Sequence, residues 1–76
     1  MTTQLAEVSP GQACTIVSLD ADRQMGLRLM EMGLIPGTGV RVVRLAPMGD
    51  PMELELRGYR LSIRLAEAAR VQVERA

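Results

Sequence analysis

Arg28-Leu29-Met30-Glu31-Met32-Gly33-Leu34-Ile35-Pro36-Gly37-Thr38-Gly39-Val40-Arg41-Val42-Val43 is the stretch that decides the fold, because within it a helix ends, the chain turns and a strand begins. Gly33 suits the left-handed residue that ends a helix, after which Leu34 folds back onto Leu29. The Pro36-Gly37 dipeptide suits the central positions of a type II turn. The β-branched residues that follow favour a strand.

The whole chain has five segments with strand character and two with helical character, and the opening stretch holds the end of the first helix and the second strand. The strands are predicted at Ala13–Leu19, Val40–Ala46, Met52–Arg57, Arg60–Arg64 and Val71–Val73. The helix is predicted over about residues 21–32, with Asp20 or Asp22 as its N-cap, and a short helical turn near 65–70. These elements predict a mainly β fold, a small, partly open SH3-like barrel of about five strands with one inserted helix.

Two strands resemble each other. The strand after Pro10-Gly11 and the strand after Pro36-Gly37 have the same apolar spacing, with Cys14 matching Val40 and Ile16 matching Val42. A single similarity of this kind does not indicate a repeat protein.

Two connections are hairpin candidates. Pro47-Met48-Gly49-Asp50-Pro51 reads as a five-residue hairpin loop closed by prolines. Gly58-Tyr59 offers the next turn, and a two-residue loop there places Glu53 opposite Arg64 but Arg57 opposite Arg60. Because the second pair is repulsive, a longer turn is expected.

Composition limits the classes of function. Seventy-six residues predict a single domain, 1–76, and a chain of this size buries only about 60% of its unfolded surface, which leaves no room for a deep substrate cavity. The formal net charge is zero and Tyr59 is the one aromatic residue, so we expect no nucleic-acid partner. The N-terminus lacks the pattern of a signal peptide and no apolar run approaches ~20 residues, which predicts a cytoplasmic protein without direct membrane insertion.

The polar residues favour structural roles over chemistry. Cys14 occupies an apolar strand position without a residue that would activate it. Asp20 and Asp22 suit helix capping better than metal binding. Glu53 and Glu55 lie about 7 Å apart on one strand face, beside Arg57, Arg60 and Arg64, and read as a solvated charge ladder rather than a catalytic pair. We therefore predict no enzyme, no catalytic residue, no cofactor and no metal ligand set, with a divalent transition metal as a weak alternative.

The apolar residues of the predicted helix fall into two groups. Ala21, Met25, Leu29 and Met32 follow one helical stripe that suits the core. Leu27 and Met30 lie on another side, and Met48 lies at a hairpin tip. Flexible apolar residues without a core position often mark a protein-binding patch.

Three motifs in order resemble the FeoA family of small cytosolic accessory proteins of bacterial ferrous iron uptake. They are residues 28–38, the segment Ala46-Pro47-Met48-Gly49-Asp50-Pro51-Met52-Glu53 and the segment Arg57-Gly58-Tyr59-Arg60-Leu61-Ser62-Ile63-Arg64. The likeness covers the chain from about Leu5 to Val73. The residues that match the family pattern read as structural, and they are Leu29, Met32, Gly33, Leu34, Pro36, Gly37, Gly49, Asp50 and Pro51.

The resemblance implies an SH3-like barrel that works with FeoB, a membrane permease with a cytosolic G-protein domain. We therefore expect a non-enzymatic adaptor at the inner face of the cytoplasmic membrane. Its partner-binding residues are predicted to be Leu27, Arg28, Met30, Met48 and Tyr59. The alternatives are a metal-sensing domain, like the C-terminal domain of diphtheria-toxin-repressor-type regulators, and a homo-oligomer that pairs its sheet edges.

Overall fold

The computed structural model describes residues 2–76. Within residues 2–76, six strands and two α-helices follow one another. In order they are β1 (Thr3–Gln4), β2 (Ala13–Leu19), α1 (Arg23–Glu31), β3 (Gly39–Leu45), β4 (Met52–Leu56), β5 (Tyr59–Ile63), α2 (Leu65–Ala68) and β6 (Val71–Arg75). A single 3₁₀ turn, Leu5–Glu7, joins β1 to the first Pro-Gly turn.

The strands form one antiparallel sheet in the order β1-β6-β2-β3-β4-β5. β1 and β5 are its two edges and do not pair with each other, so the curled sheet is a partly open barrel. The predicted mainly β class is confirmed, but the strand count is six, because β1 was not foreseen. A strand of two residues carries too little periodicity to be recognised from sequence.

The two Pro-Gly strands pair with each other around the opposed residues Cys14 and Val40. The N–H of Gly11 donates to the carbonyl of Val42 at 2.7 Å, and the N–H of Gly37 donates to the carbonyl of Ile16 at 2.7 Å. Each turn therefore binds the strand that follows the other turn. The likeness seen in sequence corresponds to a local twofold arrangement in space.

A bulge interrupts each of these strands at the matching position. In β2 the register with β6 shifts between Ile16 and Ser18, and in β3 the register with β4 shifts between Val42 and Arg44. Bulges bend a strand and increase its twist, so both central strands curl toward the core.

The termini of α1 have the predicted caps. The Asp22 carboxylate accepts a hydrogen bond from the Met25 N–H at 2.8 Å. At the other end Leu34 N–H donates to the Leu29 carbonyl at 3.1 Å, and Gly33 has a φ of +99°. This is a Schellman closure, and it sends the chain directly into the Pro-Gly turn.

The β4–β5 turn differs from the prediction. It consists of Arg57 and Gly58, whose φ values of +49° and +83° are those of a type I′ turn. Leu56 then pairs with Tyr59, and Glu55 pairs with Arg60. The expected longer turn is wrong, as is the pairing of Glu53 with Arg64. A shift of the turn by one residue removes the arginine repulsion that motivated a longer loop.

The core lies inside the curled sheet and receives one side of α1. Its fully buried side chains with a relative exposure below 2% are Leu5, Ile16, Leu29, Leu34, Met52, Leu54, Ile63, Val42, Val71 and Val73. Met25 and Met32 pack against this cluster, as the helical stripe predicted. Leu27 and Met30 are exposed.

Candidate partner-binding surface

Four of the five predicted partner-binding residues are exposed apolar or aromatic side chains, and they lie in three regions. Leu27 and Met30 are 53% and 43% exposed on the outer side of α1. Met48 is 93% exposed at the tip of the β3–β4 loop, and Tyr59 is 44% exposed at the start of β5. Leu27 and Met30 are three residues apart on a helix and therefore share one face.

The fifth residue, Arg28, has a structural partner as well. Its guanidinium forms an ion pair with the carboxylate of Glu67 on α2. Glu67 is buried, and its second carboxylate oxygen accepts the Arg64 N–H at 2.9 Å. A buried carboxylate that lost its cation would pay a desolvation penalty, so Arg28 holds α1 against α2.

The loop that carries Met48 is anchored to the same short helix. The Asp50 carboxylate accepts the Leu65 N–H at 2.9 Å, at the first turn of α2. Within the loop, Gly49 N–H donates to the Ala46 carbonyl at 2.7 Å. α2 thus contacts both α1 and the β3–β4 loop, and it connects the regions that carry Leu27, Met30 and Met48.

Tyr59 anchors the end of α1 to β5. Its hydroxyl donates to the Met32 carbonyl, one of the carbonyls that a helix end leaves without an intrahelical partner. The oxygen lies directly over Gly33, where an added Cβ would come within 2.3 Å of it. Sequence analysis placed Tyr59 on the binding surface and missed this contact, because no local pattern links residues so far apart in the chain.

The two glutamates of β4 form ion pairs within the fold. Glu55 forms an ion pair with Arg41 at 2.7 Å, and Glu53 forms one with Arg44 at 3.0 Å, both across the β3–β4 ladder. The charge ladder is therefore present, but its arginines come from β3 and not from the β4–β5 hairpin as predicted. No cluster of three or more His, Cys, Asp or Glu side chains with a geometry for metal binding exists within residues 2–76.

Cys14 is buried at the centre of the two Pro-Gly strands. Burial raises the pKa of its thiol above the ordinary value of 9.0, and the nearby Arg75 charge opposes this only in part. Because the thiolate is the reactive form, the environment of Cys14 suppresses nucleophilic chemistry.

Comparison with known proteins decides the family. The family model of the FeoA domain matches residues 3–75, nearly the whole chain. The chain belongs to the FeoA family. A curated relative, the Fe(2+) transport protein A/Fe(2+) transporter FeoB fusion protein of Porphyromonas gingivalis, is 32% identical over 71 residues. The alignment covers 93% of this chain but 8% of the relative.

Solved structures with the family's name have the same fold. The FeoA-like protein of Clostridium acetobutylicum is 35% identical with a TM-score of 0.91, over 97% of this chain and 86% of that one. FeoA of Stenotrophomonas maltophilia, solved in complex with zinc and described as an SH3 domain protein, is 31% identical with a TM-score of 0.80. That match covers 97% of this chain and 89% of the other, and it confirms the SH3-like class.

A more distant match extends the fold beyond the family. A manganese-dependent transcriptional repressor in complex with manganese superposes with a TM-score of 0.90 at 19% identity, over 99% of this chain and 37% of the repressor. At that identity the match shows a common fold and nothing about function. Within residues 2–76, no helix is long and apolar enough to cross a bilayer.

Proposed function

We propose that this chain is a non-enzymatic adaptor that binds the cytosolic part of a FeoB-type ferrous iron permease and modulates its assembly or its G-domain cycle. The observation that carries the proposal is the relative in which transport protein A and the FeoB transporter form one fusion protein. A domain fused to a transporter in one organism is a natural candidate to contact that transporter when it is a separate chain.

The proposed contact surface consists of Leu27 and Met30 on α1 together with Met48 on the β3–β4 loop. All three side chains are exposed and none is needed to fill the core. Burying an apolar side chain of this size contributes about 1.5–3 kcal/mol, so three of them can support a specific contact. Methionine suits such a surface because its flexible thioether adapts to the partner.

Arg28 and Tyr59 lie beside this surface and have a dual role in the proposal. Arg28 positions α1 through Glu67, and Tyr59 does so through the Met32 carbonyl. Their exposed parts add polar contacts at the rim, where a protein interface is hydrated. Binding through this surface would place the cytoplasmic chain at the inner face of the membrane.

The proposal is tested by co-purification of the tagged chain with the detergent-solubilised permease. We expect the wild type to retain the permease and the double variant Leu27→Ala, Met30→Ala to lose it. The matched control is Val17→Ala, which truncates a residue on β2 that is 39% exposed. Equal retention by the double variant and the control would refute the surface, and no retention by the wild type would refute the adaptor function.

A second measurement separates the two proposed actions. If the chain modulates the nucleotide cycle, it changes the GTP hydrolysis rate of the purified permease, and Met48→Ala weakens this effect. If the rate is unchanged while co-purification persists, the chain acts on assembly.

The alternative function is a transition-metal-binding or metal-sensing domain, and the zinc complex of the relative from Stenotrophomonas maltophilia favours it. The carboxylates weighed for this role do not form a resident site here. Asp22 caps α1, and Glu53 and Glu55 pair with arginines. Calorimetric titration with Zn²⁺ and with Fe²⁺ under anaerobic conditions tests the alternative, and micromolar binding in physiological salt would favour it over the adaptor.

A further inference from the structure

The two edges of the open sheet differ in how far they are protected. β1 has only two residues and continues at once into a 3₁₀ turn. β5 has five residues and contains neither a proline nor a bulge. Short strands, prolines, bulges and charged side chains are the usual means by which an edge avoids pairing with another chain, and β5 has only the last of these. β5 is therefore the accessible edge.

The register of the β4–β5 hairpin shows which backbone groups are free. The turn consists of Arg57 and Gly58, so the flanking pair Leu56 and Tyr59 exchanges both hydrogen bonds. Hydrogen-bonded and non-hydrogen-bonded pairs alternate along the ladder. The N–H and C=O groups of Arg60 and Ser62 therefore point away from β4, and both residues are exposed.

The charges along this edge are all positive. Residues 57–64 contain Arg57, Arg60 and Arg64 and no acidic residue. Within residues 2–76, Arg57 and Arg60 have no carboxylate oxygen within 4.0 Å, and Arg64 reaches Asp50 only at 3.9 Å. The edge thus combines free backbone donors and acceptors with an excess of positive charge, which Glu55 opposite Arg60 and the Arg64–Asp50 contact offset only in part.

We propose that the edge of β5 binds an extended, acidic segment of a partner protein, which adds to the sheet as a further strand. Its backbone pairs with Arg60 and Ser62, a carboxylate lies opposite Arg60 on the outer face, and an apolar side chain lies beside Leu61 on the inner face. This site adjoins the proposed surface through Tyr59, the first residue of β5, but its test does not depend on that surface.

The same charges argue against a second copy of this chain as the occupant. If two β5 strands paired antiparallel about Leu61, Arg60 of one copy would lie opposite Ser62 of the other and diagonal to its Arg60 and Arg64. Cross-strand repulsion of this kind destabilises pairing, whereas an acidic strand gains a charge-assisted contact.

The site is tested by NMR titration of the ¹⁵N-labelled chain with a capped peptide that alternates glutamate and valine. We expect the largest amide shifts at Arg60 and Ser62, and weaker binding as salt increases. A peptide with lysine in place of glutamate should bind at least about tenfold more weakly.

Substitutions at Ser62 form a matched pair. Ser62→Pro removes an outward N–H without touching the ladder to β4, and it should weaken binding about two- to tenfold, which corresponds to one lost hydrogen bond. Ser62→Ala retains the N–H and should bind as the wild type does. If Ser62→Pro proves unfolded, Arg60→Gln takes its place, with an expected loss of about two- to fivefold for the glutamate peptide alone.

Three results would overturn the proposal. The first is peptide binding that is equal for Ser62→Pro and Ser62→Ala, and the second is equal binding of the lysine and glutamate peptides. The third is concentration-dependent dimerisation of the free chain in sedimentation that Ser62→Pro abolishes, because the edge would then serve a second copy.

Discussion

Two segments of the molecule, Ser9–Leu19 and Ile35–Leu45, share a local design and differ in their surroundings. Each contains a Pro-Gly turn, a strand and a bulge, and the two strands pair about Cys14 and Val40. Their outer neighbours differ, since β2 pairs with β6 from the far end of the chain and β3 pairs with β4 through a short hairpin. Similar local signals thus support both a long-range and a local strand pair.

The approach to the two turns differs as well. The first turn follows a 3₁₀ turn, whereas the second follows α1 and its Schellman closure at Gly33. The end of α1, which leads into the second turn, is also contacted by Tyr59 from β5. The first approach has a contact of the same kind, because the Arg75 guanidinium donates to the Glu7 carbonyl at 3.3 Å. The difference is that the Tyr59 hydroxyl lies directly over Gly33, whereas the space beside Gly11 is open.

The largest expected effect concerns the core positions of both segments. Ile16→Ala should destabilise the chain by about 3–4 kcal/mol, because it leaves a cavity at a side chain that is 1% exposed. Val42→Ala, at the matching position, should cost about 2 kcal/mol. Val17→Ala, at the bulge, should cost below about 0.5 kcal/mol. Urea denaturation measures all three, and a Val17→Ala cost equal to that of Ile16→Ala would contradict the assigned bulge.

The next effect separates the two approaches to the turns. Gly33→Ala should cost about 3 kcal/mol, because it combines a positive φ with a clash against the Tyr59 hydroxyl. Gly11→Ala and Gly37→Ala have a positive φ but open space around the added Cβ, so each should cost about 1–2 kcal/mol.

A double variant sharpens this comparison. Tyr59→Phe alone loses the bond to the Met32 carbonyl at a cost of about 1 kcal/mol. In the double variant Gly33→Ala, Tyr59→Phe, however, the oxygen that clashes with the new Cβ is gone. The double variant should therefore regain part of the stability that Gly33→Ala loses, as measured by thermal denaturation. Simple additivity of the two substitutions would show that the clash does not determine the cost.

A smaller effect distinguishes the two acidic residues between β2 and α1. Asp22→Ala should cost about 1 kcal/mol, because it removes the hydrogen bond to the Met25 N–H at the helix start. Asp20→Ala should cost below about 0.5 kcal/mol, since no side-chain cap depends on it. Helix stability followed by circular dichroism in urea checks both, and equal costs would argue against Asp22 as the sole cap.

The smallest effect lies at the centre of the two segments. Cys14→Val makes this position match Val40 and should change stability by less than about 1 kcal/mol at neutral pH. Burial raises the pKa of the Cys14 thiol, so the folded chain holds this proton more tightly than the unfolded chain. The protonated thiol therefore contributes fully to the free energy of unfolding below the ordinary pKa of 9.0. This contribution is lost as the pH rises from 9.0 through the raised pKa of the folded chain.

The variant provides the control for that pH dependence. The difference in unfolding free energy between wild type and Cys14→Val should move in favour of the variant as pH increases above 9.0. A difference that stays constant would mean that the thiol does not titrate during unfolding.

The candidate surface could be predicted only in part. Leu27 and Met30 were placed outside the core by helical periodicity, and the exposed positions in the structure agree. Arg28 and Tyr59 were predicted as further partner contacts, yet each also makes a contact that joins distant elements. Periodicity reports which side of a helix is apolar, and it does not report what lies opposite an exposed residue.

Local chemistry in the sequence determined the elements whose signals lie within a few residues. These are the Schellman closure at Gly33 and the type II turn at Pro36-Gly37, because each depends on backbone preferences of the residues themselves. The sequence limited the helix cap to Asp20 or Asp22, and the structure has Asp22.

Only the tertiary structure decided the β4–β5 register, the existence of β1 and the ion pair of Arg28 with Glu67. Each of these depends on partners brought together by the closed core, where a one-residue shift or a contact between distant elements is settled by packing and charge rather than by local preference.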